Sequence, residues 1–241
     1  MISTSVQSIS ERIEALPWQG ILEQLNTQGF AAIGQVLAAS ECSQFVRMYA
    51  DDAHFRKRVI MQHHGFGRGE YQYFAYPLPT IVEALRQSVY CRLVQLANRW
   101  NTALGKDLIF PDTLQAFLET CHGEGQIRPT PLLLKYEPGD FNCLHQDLYG
   151  VLTFPFQMVV LLNEPGEEFS GGEFVLVEQK PRAQSRAEVV SLHCGEAVIF
   201  TVNYRPIQGT RGFYRVNLKH GVSQIRSGHR YSLGVIFHDA T

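Results

Sequence analysis

After Pro131 the chain changes its pattern, and that change constrains the fold more than any other feature. Short apolar, β-branched and aromatic runs alternate with glycine, proline and asparagine turns, at 132–136, 154–162, 173–177, 188–192, 197–202, 214–218 and 233–237. Runs this short with turns between them predict a compact β-sandwich or barrel-like core. Before Pro131 the spacing is mainly helical. Residues 8–27 carry Ile13, Leu16, Ile21, Leu22 and Leu25, broken near Pro17, and Ser40 is placed to cap another helix. Residues 79–104 set Ile81, Leu85, Val89, Leu93, Leu96 and Trp100 at three- and four-residue steps behind Pro79. A further helix is expected over 112–120 and a short strand over 29–33. No internal repeat, low-complexity segment or linker divides the 241 residues. The expectation is one domain, with 1–130 as mainly helical support and substrate lid and 131–241 as the β-rich core.

Within the β-rich half, His145, Gln146 and Asp147 put an imidazole and a carboxylate two residues apart. On an extended strand residues two apart share a face. His220 comes from a distant strand-like segment and supplies a third donor. Two neutral imidazoles and one carboxylate form a facial triad, which suits ferrous iron and leaves coordination positions open. The bland alternative is a hydrogen-bonded pair of core histidines and a turn aspartate. Arg230, ten residues after His220, follows a Ser227-Gly228 turn signal. A strand–turn–strand hairpin there would fold Arg230 back beside His220. A buried guanidinium at that place would hold a carboxylate through a two-pronged, charge-assisted pair. Ser232 shares the face of Arg230, and Tyr136, nine residues before His145, adds a phenol. Asn217, three before His220, is a further candidate for the pocket. Cys143 precedes His145 by two; with three ligands already present, a small buried residue is the preferred reading over a fourth ligand. His229, on the turn, and His238, near the chain end, are not expected to be ligands.

Tyr136, His145, Asp147, His220 and Arg230 together resemble the iron(II)- and 2-oxoglutarate-dependent dioxygenases, in particular their prolyl-4-hydroxylase-like branch. The stretches 136–150, 171–176 and 211–239, together with 64–71, also look like a bacterial 2-oxoglutarate–iron(II) oxygenase family predicted to act on damaged nucleic acid. The resemblance covers most of the chain. It implies an α+β fold with a double-stranded β-helix (jelly-roll) core and N-terminal helices packed on one sheet. It implies iron(II) as cofactor on His145, Asp147 and His220, and 2-oxoglutarate as co-substrate on Tyr136 and Arg230, with dioxygen as the other reactant. Alkylation-repair demethylases usually carry a second arginine six residues after the first, and that position is Ile236 here, so the co-substrate pocket is closer to the prolyl-hydroxylase pattern. The aspartate argues against a halogenase, which needs that ligand position vacated. Expected activities are hydroxylation or oxidative demethylation with release of succinate and carbon dioxide, on alkylated DNA or RNA, or else on a protein side chain or small molecule. A non-enzymatic barrel that senses iron or 2-oxoglutarate is the alternative from another class.

The substrate lid is sought in 64–69, where alternating glycines give flexible backbone and His64, Phe66, Arg68 and Tyr71 offer faces for a planar or charged substrate; an ordinary glycine-rich hairpin is the alternative. The net charge of −2 excludes a strongly basic nucleic-acid binder, yet no acidic residue lies between Glu196 and Asp239, and Arg56-Lys57-Arg58 forms a second basic group. Such local positive potential attracts anions whatever the net charge. The composition, 45% hydrophobic and 18% charged, is that of an ordinary globular protein. No apolar run approaches the length of a membrane helix, and Met1 to Ser5 lack the basic start of a secretory signal. Five scattered cysteines give neither a disulfide framework nor zinc spacing, which fits a reducing cytoplasm.

Overall fold

A computed structural model describes residues 7–241; the reading of Met1 to Ser5 lies outside them. Five α-helices, two short 3-10 helices and fifteen strands are present among the described residues. The α-helices are α1 (Ile9–Glu14), α2 (Trp18–Gln28), α3 (Ala39–Met48), α4 (Thr80–Ala103) and α5 (Leu114–Gly123). The first strands are β1 (Phe30–Gln35), β2 (Phe55–Ile60), β3 (Gly67–Arg68), β4 (Glu70–Phe74), β5 (Leu132–Tyr136) and β6 (Phe141–His145). They are followed by β7 (Phe156–Leu161), β8 (Phe169–Gly171), β9 (Phe174–Gln179), β10 (Arg186–Val190) and β11 (Glu196–Thr201). The chain closes with β12 (Tyr204–Gly209), β13 (Gly212–Val222), β14 (Ile225–Gly228) and β15 (Arg230–Ile236).

Two antiparallel sheets face each other. The larger runs β1-β11-β7-β15-β5-β4-β2, the smaller β10-β9-β13-β6-β3 with β12 also on β13. This is the jelly-roll core. The helices cover the outer face of the larger sheet, because its strands alternate. Phe156, Met158 and Val160 of β7 pack with Val82, Val89, Leu93 and Trp100 of α4 in one apolar cluster, whereas Val159 and Leu161 join a second cluster between the sheets. Each buried side chain of this size adds about 1.5–3 kcal/mol of hydrophobic stabilisation. Pro79 precedes α4, as its sequence predicts. α3 starts one residue before Ser40, with the Glu41 carboxylate accepting from the backbone N–H of Ala38 at 2.7 Å.

The division at residue 130 is not architectural. β1, β2 and β4 come from the first 130 residues and fill three places in the larger sheet. β2, Phe-Arg-Lys-Arg-Val-Ile, hides its strand character behind three cations. Two of them are engaged locally: Arg56 donates to the Pro129 carbonyl and lies 4.6 Å from the Tyr73 ring, and Arg58 pairs with Asp52 at 2.9 Å. The expected hairpin from His220 to Arg230 is also corrected. Ser227 and Gly228 belong to β14, which pairs with β8, and the chain then crosses to the larger sheet. Arg230 therefore faces His220 across the barrel instead of folding back beside it.

Candidate metal centre and co-substrate pocket

β6 and β13 pair His145 directly with His220, but the next pair is Asn142 with Val222. β6 thus carries one extra residue, a β-bulge at Cys143 and Leu144. The bulge resets the side-chain alternation. Asn142 and His145 both face the cavity, while Cys143 is exposed. Cys143 is therefore not buried, and its thiol does not join the ligand set; its contribution is its carbonyl, which accepts from His145 Nδ1 at 2.7 Å. A carbonyl cannot donate, so that bond fixes the proton on Nδ1 and leaves Nε2 with its lone pair free. Gly221 permits the close approach of β6, since a Cβ there would sit 2.7 Å from the Asn142 carbonyl oxygen.

Asp147 lies just beyond the end of β6, on the following loop, not on the strand itself. Gln146 fixes that loop by donating to the carbonyls of Asn203 and Leu218, at 2.9 and 2.8 Å. The Asp147 oxygens come within 3.4 Å of His145 Nε2 and 3.3 Å of His220 Nε2. One ligand atom from each of the three residues lies within 4.8 Å of the others. The donor set fits a divalent metal of borderline softness with an open face, as iron(II) requires. Burial alone would raise the Asp147 carboxyl, but the hydrogen bonds and charge of the two imidazoles outweigh it and hold the group well below its usual range. Burial pushes His220 down, toward the neutral form a metal ligand needs. Burial alone would lower His145, but the Asp147 carboxylate favours its charged, doubly protonated form and outweighs that, so the group is raised. Tyr149, which the sequence reading missed, donates to Asp147 Oδ1 at 2.8 Å and orients the carboxylate.

The cavity beside the triad has a volume of about 220 Å³. Tyr136 and Arg230 pair across β5 and β15, and Ser232 lies on the same inner row. Arg230 is 2% exposed; its guanidinium lies 5.6 Å from the Tyr136 ring centroid, and among the described residues its one hydrogen-bond partner is Ser232 Oγ at 3.2 Å. No carboxylate pairs with it among the described residues, and its Nε is buried without a partner, as is the Tyr136 hydroxyl. Burial pushes the Tyr136 phenol up to about 12, so it stays a donor. A buried cation without its anion is costly. These orphaned donors suit the distal carboxylate of a keto diacid.

The remaining candidates divide. Phe66 and Tyr71 line the cavity, with Phe66 46% exposed at its mouth beside Leu148. His64 stacks on Phe66 at 5.3 Å and does not itself line the cavity. Arg68 points elsewhere, 3.8 Å from Asp140. The glycine-rich stretch is not a loose lid, because β3 pairs with β6, and a Cβ on Gly67 would meet the Phe141 carbonyl oxygen at 2.3 Å. Asn217 is exposed and outside the cavity. Three residues before His220 on a regular strand is the opposite face.

A jelly-roll that brings two histidines and an aspartate together over an anion pocket defines a non-haem iron oxygenase. Residues 69–240 match the family model Oxygenase-NA, described as an oxygenase catalysing oxidative methylation of damaged DNA, and the chain belongs to this family. It is an enzyme of the iron(II)- and 2-oxoglutarate-dependent oxygenase class. The sensing-barrel alternative is thereby set aside. Two uncharacterized proteins of Mycobacterium tuberculosis, from strains CDC 1551 / Oshkosh and ATCC 25618 / H37Rv, are each 47% identical over 167 residues, 69% of this chain and 72% of theirs. Among solved structures, a Pseudomonas putida prolyl-4-hydroxylase is similar with a TM-score of 0.52 at 16% identity, covering 93% of this chain and 99% of that one. A Trichoplax adhaerens prolyl hydroxylase gives 0.56 at 15% identity, covering 96% and 92%. At such identities the likeness concerns the fold. No helix among the described residues is long and apolar enough to cross a membrane.

Proposed function

We propose that this oxygenase acts on alkylated bases of DNA or RNA, removing an alkyl group by hydroxylating its first carbon. His145, Asp147 and His220 would hold the iron, and Arg230, with Ser232 and Tyr136, would hold the distal carboxylate of 2-oxoglutarate. When bound, the metal supplies oxygen activation coupled to decarboxylation of 2-oxoglutarate to succinate and carbon dioxide. The chain's own work is placement. Arg230 fixes the co-substrate, Tyr149 aims the Asp147 carboxylate, and the apolar walls exclude water. Phe66 and Leu148 offer exposed apolar faces at the mouth, suited to the face of an extruded base.

The observation that carries the co-substrate assignment is the fully buried Arg230, without a carboxylate partner among the described residues, in the same cavity as the three ligands. The family description supports the substrate class. One feature favours the second reading, a protein side chain or small molecule. Several cations of the basic groups are engaged internally, as in the Arg205–Glu178 pair at 2.7 Å. The free thiols and the need to keep iron ferrous support a cytoplasmic location.

Succinate release from 2-oxoglutarate by the purified protein with iron(II) tests the chemistry, and His145→Ala is expected to abolish it. Methylated oligonucleotides set against peptides test the substrate. Stimulation of succinate release by peptides alone would overturn the nucleic-acid reading.

A further inference from the structure

β7 is buried along its whole length, and its one polar side chain is Gln157. Alternation places Gln157 on the inner row with Val159 and Leu161, opposite the row that packs on α4. It therefore lines the cavity that holds the metal ligands. Its neighbours in register are Phe200 on β11 and Ile236 on β15, and neither side chain can hydrogen-bond. Gln157 is 4% exposed, and its Oε1 is buried with no partner. An unsatisfied buried amide destabilises a fold, whereas an apolar side chain of the same shape would fit this wall without that cost. Among the described residues nothing answers the Gln157 Oε1.

Gln157 is also remote in register from the anion pocket. Its strand partner Ile236 lies six residues along β15 from Arg230, on the same inner row as Ser232. The carboxyl end of the co-substrate is served at the other end of that row. The group that meets Gln157 must come with the substrate.

We propose that Gln157 determines base specificity, its Oε1 accepting a hydrogen bond from the exocyclic amine of an alkylated adenine- or cytosine-type base. This rests on the damaged-base reading above and names the edge that the site recognises. A carboxamide suits an amine-bearing base edge, and a site built to pair such a group rejects the analogue lacking it far more strongly than an apolar pocket rejects a change in size. Phe66 at the mouth would take the face of the same base.

The test is a cycle between residue and base. Protein loaded with manganese(II) and 2-oxoglutarate is titrated into two labelled single-stranded oligonucleotides, one carrying 1-methyladenine and one carrying 1-methylpurine, which lacks the amine. The unmethylated parent is the reference. Wild type should bind the amine-bearing probe at least tenfold more tightly than the amine-free probe. Gln157→Met, close in shape and apolar, should bind the two within twofold of each other. Gln157→Leu provides a second apolar replacement, and thermal melts establish that both variants fold. If either folded variant keeps the wild-type preference for the amine, or wild type has none, the role of Gln157 is overturned while the damaged-base reading stands. If wild type binds neither methylated probe better than the parent, that reading fails, and this proposal with it.

Discussion

Two buried arginines, one at each end of β15, show how a structural cation differs from a functional one. Arg86 of α4 is 1% exposed and fully answered. It pairs with Asp239 at 2.7 Å, donates to the carbonyls of Ile236 and Phe237, and meets the Tyr76 hydroxyl at 3.0 Å. Arg230, equally buried, has one hydroxyl. Burial depth is the same, and the difference lies wholly in the partners. The first arginine locks a helix to a strand end, and the second is complete only when an anion arrives.

The largest effect should come from breaking the complete pair. Arg86→Met leaves the buried Asp239 with only the half-exposed His122 and the Tyr76 hydroxyl, both at 2.9 Å, and should cost about 3–5 kcal/mol of stability, read by urea denaturation. The same substitution at the other end should behave oppositely. Arg230→Met removes a lone buried charge, so stability should hold or rise. Affinity for 2-oxoglutarate with manganese(II), measured by calorimetry, should fall by about 2–5 kcal/mol, some thirtyfold to several thousandfold. A variant at Arg230 that unfolds the protein and a variant at Arg86 that spares it would reverse the comparison.

Acid sharpens it further. His238 adjoins Asp239 and is buried; burial first, and then the nearby charge of Arg86, lower it to about 4 from its usual 6.5. Its Nδ1 accepts from the Phe154 N–H at 3.3 Å, which needs the neutral ring. Below pH 6.5 the unfolded chain takes up a proton that the native chain refuses until about pH 4. Stability from this group is therefore full above 6.5 and declines as pH falls through that window, by about 2 kcal/mol at pH 5. His238→Gln should flatten this slope in denaturation at pH 7 and pH 5. An unchanged slope would place the titration elsewhere.

The sequence reveals the same contrast only in part. The triad was legible because two imidazoles and a carboxylate carry metal-ligand chemistry, although the strand spacing read for His145 and Asp147 does not hold, since Asp147 lies on the loop after β6. Ser232 was placed on the face of Arg230 because a strand alternates, whereas Arg230 was singled out by its distance from His220 through a hairpin that the fold does not form. Asn217 failed for the same rule, since three residues change the face. Cys143 was read as buried and is exposed, because the bulge that turns it outward depends on the pairing of β6 with β13. β2 and β4 were lost because their polar residues find partners only in the folded protein. Gln157 was the detectable omission, a single amide within an otherwise apolar run from Phe154 to Leu162. A polar residue in a fully buried strand asks for a partner, and the apolar tally of the run concealed it.

The smallest expected effect decides most directly what kind of cation Arg230 is. A ligand that binds only the folded state stabilises it by RT ln(1 + [L]/Kd), so 2-oxoglutarate at ten times its dissociation constant should add about 1.4 kcal/mol. Manganese(II) in the buffer supplies the metal without turnover. The increment should appear in wild type. It should also appear, at full size, on the lower baseline of Arg86→Met, since that guanidinium has no free donor facing the cavity. In Arg230→Met at the same ligand concentration it should vanish, although the baseline is as high or higher. An increment that survives in Arg230→Met would mean that the diacid is held elsewhere. The orphaned Nε and the Tyr136 hydroxyl would then need another anion to answer them.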